Sequence, residues 1–387
     1  MVSSTTSIAL IVPFGTDYET FQLTLASHSS FSLSSARLFL IQTVFGTYES
    51  IKSKQLADLY ASLYPDRITV LDVETNGVME NTLKECFNRG VLDDFDLIVF
   101  CTERVLAVKV GWIDSLLKCI MEYESGNGSG LAYVSAFVNN NSATLEKVLD
   151  KMGLRQEFFD EVSHRHLVGR SPEFSYSPYR VLSENEISSD GYGTLYCCPH
   201  ISYWLHKKTT LDLPKFLSQC DVEEVLELDS HRLNLADAFI CRKRVLQEIL
   251  NSDCEYDLNV RLQRYCLKKN LKVLISSSSL VINLFYDIQR SVNAGLLKDF
   301  KTLVYNITNS PLRYSLLRDE DIFSRERLLF YCYHRKIYAS KANSGYEDSI
   351  MVRMILLRRI KNLLKEKLNH QGFLYRFLRK IYLQVRG

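Results

Sequence analysis

The chain has 387 residues, 46% hydrophobic and 24% charged, which is enough for one large domain or two ordinary ones and close to the globular average. That balance excludes wholesale disorder, collagen-like repetition and a polytopic membrane protein, and a formal charge of +2 excludes a body coated evenly for nucleic acid. Ten cysteines at irregular spacing, several inside apolar runs and none in a CxxC pair, read as free thiols of a reducing compartment.

Met1 to Ser7 carries no Lys or Arg, and the apolar run Ile8 to Phe14 is too short for a signal-peptide core or a membrane span, so cytoplasmic retention is expected. The first 140 residues alternate short apolar runs with longer amphipathic ones. Ser7–Pro13, Ala36–Thr43, Ile68–Leu71, Phe95–Cys101 and Leu131–Val138 are predicted strands, and Glu19–Ser27, Lys52–Leu63, Val78–Arg89 and Trp112–Tyr123 have the apolar spacing of helices. Strands crossed over by helices predict an α/β fold with a doubly wound, mainly parallel sheet. From Ser142 to about Asn234, Asn, Ser, Tyr and charged residues crowd the chain, which predicts long excursions over one end of the sheet rather than a second compact core. Periodicity predicts a helix over Leu235–Leu250 and a strand through the serine tract of Leu271–Phe285. Beyond Ser291 the chain reads as almost entirely helical.

Common cofactor signatures are missing. No GxGxxG follows a strand and there is no GxxxxGK[ST]; Gly126, Gly128 and Gly130 precede a strand and read as a loop, which disfavours nicotinamide dehydrogenases and P-loop enzymes. His164, His166, Cys197, Cys198, His200 and His206 can be drawn together as a zinc site, but their spacings match no ligand pattern.

The order of strand ends is more informative. The first strand ends at Pro13 and Phe14, the second at Gln42-Thr43, the third is followed by Asn76-Gly77 before a helix, and the fourth runs into Thr102-Glu103-Arg104 ahead of Trp112. Further on come Asn139-Asn140-Asn141, then Ala238 to Arg244, then Cys254-Glu255-Tyr256-Asp257 leading to Arg261. This series resembles the family 2 inverting glycosyltransferases of the GT-A fold, over roughly residues 7 to 290. Their signposts are an apolar strand ending in Pro, an Asn-Gly before a helix, an Asp-x-Asp-like motif, a Trp opening a helix, and a Glu-Asp-x-Asp-Leu-x-x-Arg motif beside the acceptor hydroxyl.

The resemblance implies a GT-A domain over 1–290, with a nucleotide-binding half of about 1–140 and an acceptor-side half of about 141–290, followed by a helical extension over 291–387. It implies a nucleotide-sugar donor lying against Pro13, Phe14, Gln42, Asn76, Thr102, Glu103 and Arg104, with Glu255 as general base and Asp257 beside it. Such a reaction needs positive charge against the departing diphosphate and a base within reach of the acceptor hydroxyl. The chain departs from the pattern where Gln42 replaces an acid, Thr102-Glu103-Arg104 replaces Asp-x-Asp, and Asn283 stands in the place of a histidine. Glu103 is the one carboxylate left for Mn2+ or Mg2+, so metal dependence is expected to be weak, with Arg104 supplying the charge. Glu103 and Arg104 also read as a solvated pair, and Asp257 as a helix cap or a partner of Arg261.

Residues 351–387 carry ten Lys or Arg against one acid, Glu366, leaving the rest of the chain with 37 basic and 44 acidic residues. Ile355, Leu356, Ile360, Leu363, Leu364, Leu368, Phe373, Leu374, Phe377 and Leu378 recur at helical spacing along it. An apolar stripe flanked by cations suits an anionic membrane surface better than nucleic acid, and also fits a helix docked on the body or on another chain. The whole predicts a cytoplasmic protein peripheral to the inner face of a membrane, transferring sugar to a glycan or lipid-linked glycan in surface polysaccharide assembly. A catalytically inactive glycosyltransferase-like subunit that binds a partner enzyme is the alternative. A nucleotidyltransferase would want a basic glycine-rich loop after the first strand, and Pro13 to Asp17 has no Lys or Arg.

Overall fold

The computed structural model describes residues 6–308 apart from 76, 128–129, 142, 159, 161–198, 229–236, 252–256 and 285–289. Backbone contacts group the chain into two units, Met1–Leu317 and Arg318–Gly387, and the described residues belong to the first. Residues 351–387 and their membrane reading lie outside the described residues.

Among the described residues nine strands form one sheet. They are β1 (Ile8–Phe14), β2 (Arg37–Gln42), β3 (Ile68–Asp72), β4 (Leu97–Cys101), β5 (Val105–Ala107), β6 (Leu131–Val138), β7 (Val225–Leu228), β8 (Ala238–Arg242) and β9 (Lys272–Asn283). The helices are α1 (Tyr18–Phe31), α2 (Tyr48–Leu63), α3 (Met79–Asn88), α4 (Trp112–Asn127), α5 (Leu145–Lys151), α6 (Arg155–Phe158), α7 (Pro199–Lys208), α8 (Leu213–Cys220), α9 (Lys243–Leu250), α10 (Leu258–Lys269) and α11 (Arg290–Ile307). Strand order is β3-β2-β1-β4-β8-β6-β9-β5, with β7 also on β9. β1 to β4 are mutually parallel, β8 runs antiparallel between β4 and β6, and β6 and β9 are parallel. The predicted α/β fold, a large sheet flanked by helices, is therefore the one observed.

Continuous apolar runs make these strands, because a strand covered on both faces has no polar side to show. Ala9 and Ile11 of β1 join Phe39, Ile41, Ile98, Phe100 and Phe239 under α3, α9 and α10. On the other side of the molecule Leu23, Phe137, Val148, Trp204, Phe216, Ile282 and Phe300 gather residues of α1, α5, α7, α8, α11 and the far end of the sheet. Trp112 is fully buried at the start of α4, and its Nε1–H donates to Ser32 Oγ at 3.0 Å, tying α4 to the end of α1. The helix predicted from Lys52 begins earlier, at Tyr48, because Thr47 and Ser50 form a reciprocal capping box.

Three readings are corrected. Leu235–Leu250 is not one helix: Ala238–Arg242 is a strand and only Lys243–Leu250 is helical. Ala238 to Cys241 are all fully buried and paired with β4, Phe239 and Ile240 also with β6, and an apolar run that short has no period to separate strand from helix. Between 142 and 234, the described part is no loose excursion but α5 to α8 and β7, with Trp204, Leu205, Leu213 and Phe216 buried in the same apolar cluster as α1 and α11. Gly126 falls within α4 rather than in a loop. Of the cysteines, Cys86, Cys101, Cys119, Cys220, Cys241 and Cys266 are free and buried, and burial pushes their thiols up in pKa.

His28 of α1 is buried with its Nδ1 2.9 Å from Ser32 Oγ, and burial lowers its pKa to about 4 against the partial offset of a backbone hydrogen bond to Val105. Its neutral form contributes stability that is present above the ordinary value of 6.5 and lost as pH falls through about 4. Urea denaturation of the parent and of His28→Gln should diverge over this window: the stability of the parent relative to the variant falls steadily as pH drops from 6.5 toward 4. Parallel curves would remove His28 from the acid limb.

Candidate functional site

From β1 the chain steps outward through β2 to β3 and then returns to the opposite side of β1 as β4, so strand order reverses between β1 and β4. Neighbouring crossovers leave such a reversal on opposite faces, which opens a crevice at the carboxyl ends of the two strands. The loops that follow those strands are 15–17 and 102–104.

One carboxylate joins them. Glu103 is 9% exposed, and its Oε2 accepts the amide N–H groups of Gly15 at 3.0 Å and Thr16 at 3.3 Å. Its backbone carbonyl accepts Thr24 Oγ–H at 2.8 Å. Asp17, the next residue of the loop, caps α1 by accepting Thr20 N–H at 3.2 Å and the Thr20 hydroxyl at 2.8 Å. The reading of Glu103 and Arg104 as a solvated pair is thus corrected for Glu103, whose side chain is folded under the β1 loop because two otherwise unanswered amides await it there. Gly15 has φ +126°, and a Cβ there would meet the Val44 carbonyl oxygen at 3.2 Å, so the loops after β1 and β2 approach too closely for a side chain.

The other sequence-predicted residues divide. Pro13 is half-buried in β1, whereas the Phe14 ring is fully buried and stacked on Phe21, 4.6 Å between centroids, and so belongs to the core rather than to a crevice wall. Gln42 is buried, and its amide donates to Val44 O at 3.0 Å and Ser50 O at 3.4 Å, which uses it to shape the turn after β2. Thr102 and Arg104 are half-buried beside Glu103, and Thr102 N–H donates to Asp237 O at 3.0 Å. Asp257 is the N-cap of α10, accepting Val260 N–H at 3.1 Å. Asn76 and Glu255 lie outside the described residues. His206, once a zinc candidate, pairs through Nδ1 with Thr210 Oγ1 at 2.8 Å and packs edge-on to Phe300; His164, His166, Cys197 and Cys198 lie outside the described residues.

Sequence reasoning missed Asp237. This acid stands one residue before β8 and is 8% exposed; Asn141 Nδ2 donates to its Oδ2 at 2.9 Å and the Asn283 side chain adds a second hydrogen bond. Asn283 N–H donates to Asn139 Oδ1 at 2.8 Å, and Asn139 Nδ2 reaches Thr209 Oγ1 and Thr210 Oγ1 at 3.1 and 3.2 Å. An acid immediately ahead of the buried run Ala238 to Cys241 was the available signal, and the reading of that run as helix hid it.

Burial raises the pKa of Glu103 to about 7, with the nearby Asp17 charge adding to the rise; the Arg104 charge and the Thr16 and Gly15 amides pull it down. Burial likewise raises Asp237 to about 6, opposed by the Asn141 and Asn283 hydrogen bonds and by the Arg104 charge. Among the described residues no three His, Cys, Asp or Glu side chains come together to hold a metal ion. Hard divalent cations take several oxygen ligands, whereas Glu103 gives one oxygen to two amides and Asp237 is held by the Asn141 and Asn283 amides, so the described residues do not make up a metal centre and no step below is routed through one.

No protein-family model matches the sequence, and no curated protein matches it. A solved structure of similar chain path is the mannosyltransferase PcManGT from Pyrobaculum calidifontis in complex with GDP-Man and Mn2+, at 10% identity and a TM-score of 0.38, covering 98% of this chain and 84% of that one. At that level the likeness carries no function across. Among the described residues, no helix is long and apolar enough to cross a membrane.

Both acids titrate above their ordinary values of 4.5 and 3.8, so their contribution to stability is fully present below those values and is lost as pH rises through about 6 and then about 7. Glu103→Gln keeps an acceptor for the Gly15 and Thr16 amides without the charge. Denaturant titrations at pH 5 and pH 8 should show the parent weaker at pH 8 and this variant less affected. Glu103→Ala, which leaves two buried amides unanswered, should cost about 1–3 kcal/mol at both. If Glu103→Gln retains the full decline, the loss comes from another group.

Proposed function

We propose that the chain is a glycosyltransferase of the GT-A type, taking a sugar from a nucleotide diphosphate sugar to a carbohydrate acceptor. The observation that carries this reading is the reversal of strand order between β1 and β4, with the half-buried cation Arg104 in the loop that follows β4. A crevice of this kind accepts a nucleotide, and a guanidinium offers paired N–H donors to diphosphate oxygens. Glu255, two residues before the cap of α10, serves as the general base. It takes the proton of the acceptor hydroxyl while that oxygen attacks the anomeric carbon, and the nucleoside diphosphate leaves with the electron pair of the broken C–O bond, so the anomeric centre inverts. Asp257 caps the start of α10. Arg104 answers the charge growing on the leaving diphosphate.

Pro13 and the backbone of Phe14, with Asn76 and Thr102, complete the nucleotide side of the proposed crevice, and Gln42 and Glu103 hold its loops. The basic, apolar stretch 351–387 supports a peripheral association with an anionic membrane and hence a lipid-linked glycan acceptor, as in surface polysaccharide synthesis on the cytoplasmic side. A second reading, an inactive subunit that binds a partner enzyme, is favoured by one observation: Glu103 and Asp257 are both committed to backbone amides.

A thermal-shift screen of nucleotide sugars, with EDTA and with Mn2+, separates the two readings. A donor that raises the melting temperature, little changed by EDTA, followed by sugar transfer that falls at least ~10²-fold in Glu255→Gln while donor stabilisation is retained, supports the enzyme. No transfer with any donor to any glycan acceptor supports the inactive subunit, and no stabilisation by any donor overturns the enzyme.

Truncation before Ile350 should release the protein from phosphatidylserine-containing vesicles, since each Lys or Arg near such a surface contributes roughly 1 kcal/mol. Raised salt should weaken binding of the intact chain. A truncated protein that still sediments with vesicles would remove the membrane from this reading and the lipid-linked acceptor with it.

A further inference from the structure

Away from the crevice, the far edge of the sheet is open at β7. β6 pairs along one side of β9 from Lys272 to Val281, so β5 and β7 lie end to end on its other side, and among the described residues no strand pairs with the outer edge of β7. Leu226 and Leu228 pack against the apolar cluster that holds Trp204, Phe216 and Phe300, yet both remain half-buried, as in a core whose last strand has no neighbour. On the opposite face Val225 is 48% exposed, and Val222, just before the strand, is 45% exposed.

Edge strands are ordinarily blunted by uncompensated charge, by Pro or by a bulge, each of which turns a second strand away. Here those devices are missing or spent. Residues 221–228 contain no Pro, and β7 pairs with β9 in unbroken register from Val225–Ser276 to Leu228–Val273. The segment carries four acids, and a lysine of a neighbouring element answers each. Lys109 Nζ meets Asp221 Oδ1 at 2.5 Å, Lys118 of α4 meets Glu223, Lys151 of α5 meets Glu224 Oε2 at 2.6 Å, and Lys272 of β9 meets Glu227 Oε2 at 2.8 Å. Surface pairs of this kind add little to stability, but they cancel the repulsion that two copies of one acidic edge would otherwise feel.

We propose that β7 is the pairing edge of a homodimer, meeting β7 of a second copy of this chain antiparallel across a two-fold axis, so that one sheet runs through both molecules. A second copy is the fitting partner because an edge whose acids are all compensated from its own side is complementary to itself, as a two-fold interface requires. The side chains set the register. With the axis normal to the sheet, directly opposed residues share a face, so one residue sits opposite its own counterpart, and in a strand of four residues the two central ones give the fullest overlap. Centring on Glu227 would oppose two carboxylates. Centring on Leu226 opposes two leucines over the open apolar cluster and sets Val225 opposite the partner subunit's Glu227. β8, β6 and β9 separate β7 from the β1/β4 crevice, so both crevices stay open in the dimer, and the inference stands whether or not the donor reading does.

Sedimentation velocity and non-reducing electrophoresis of the full chain test this. The parent should sediment as a dimer that dissociates on dilution. Val225→Glu, which puts a carboxylate opposite the partner subunit's Glu227, should weaken dimerisation at least ~10-fold, whereas Val225→Lys, which puts an ammonium there, should leave it as tight or tighter. Leu226→Cys should cross-link to its counterpart on mild oxidation, because directly opposed residues of an antiparallel pair lie about 4.5–5.5 Å apart at Cα, within disulfide reach. Leu228→Cys should not, and the parent serves as control for its own ten cysteines. Should Leu226→Cys fail to fold by circular dichroism, the two Val225 variants, at an exposed position, carry the test alone. A parent that is monomeric at every concentration up to ~0.1 mM overturns the proposal. So does a dimer that Val225→Glu leaves unchanged, one that Glu and Lys at this position weaken alike, or a folded Leu226→Cys protein that cross-links no more than the parent.

Discussion

Two backbone amides at the end of β1, those of Gly15 and Thr16, share one buried acceptor, the carboxylate of Glu103 after β4. A buried N–H without a partner costs about 1–3 kcal/mol, so this shared acceptor stabilises the loop and also fixes where it lies. Much of the crevice follows from it. Asp17, one residue beyond Thr16, caps α1, so the position of the loop sets the start of that helix. Thr43, at the end of β2, donates both its N–H and its hydroxyl to the Phe14 carbonyl, and Gly15 lets the β2 loop approach closely enough to do so. The ends of β1, β2 and β4 are thereby held as one rim.

That rim carries an unusual charge balance. Two buried carboxylates, Glu103 and Asp237, lie at this end of the sheet, and the Arg104 charge lowers the pKa of both. Burial disfavours ionising either acid, and one guanidinium cannot fully compensate two, which is why both titrate toward neutrality. The asparagines do the remaining work: Asn141 and Asn283 lower Asp237 by donating to it, and Asn139 keeps Asn283 in place. Neutral amides supply hydrogen bonds without adding a charge that would itself need a partner.

How much of this could be read from the sequence depended on whether the signal was local. β1, β2, β4 and β6 announced themselves because strands covered on both faces are continuous apolar runs, β9 because apolar runs flank its serine tract, and α1 to α4 because their buried faces recur at helical spacing. β8 did not, since Ala238 to Cys241 is equally apolar as strand or helix until β4 and β6 close on it. Short β5 and β7 exist only through pairing with the two halves of β9. Among the site residues, Glu103 and Arg104 were found by position after a strand, yet nothing local says that Glu103 turns inward to the Gly15 loop 88 residues away. Gln42 and Phe14 were assigned to the ligand for the same reason. A side chain's place after a strand is legible in sequence, whereas its direction is decided by tertiary partners.

The direction of β8 explains why Asp237 reaches the crevice at all. Parallel strands deliver their last residues to the ligand end of a sheet, and an antiparallel strand delivers its first. β8 pairs Ala238 with Cys101 of β4, so the residue before it, Asp237, arrives beside Thr102 and Arg104 at the same edge as the ends of β1 and β4. A single inserted strand thus brings Asp237, from the second half of the chain, to the 102–104 loop of the first, more than 130 residues earlier in sequence. Neither half alone contains the pair. The polar rim is complete only when β8 has been seated between β4 and β6 and β9 has closed on β6, which couples the integrity of the crevice to the most non-local pairings in the sheet.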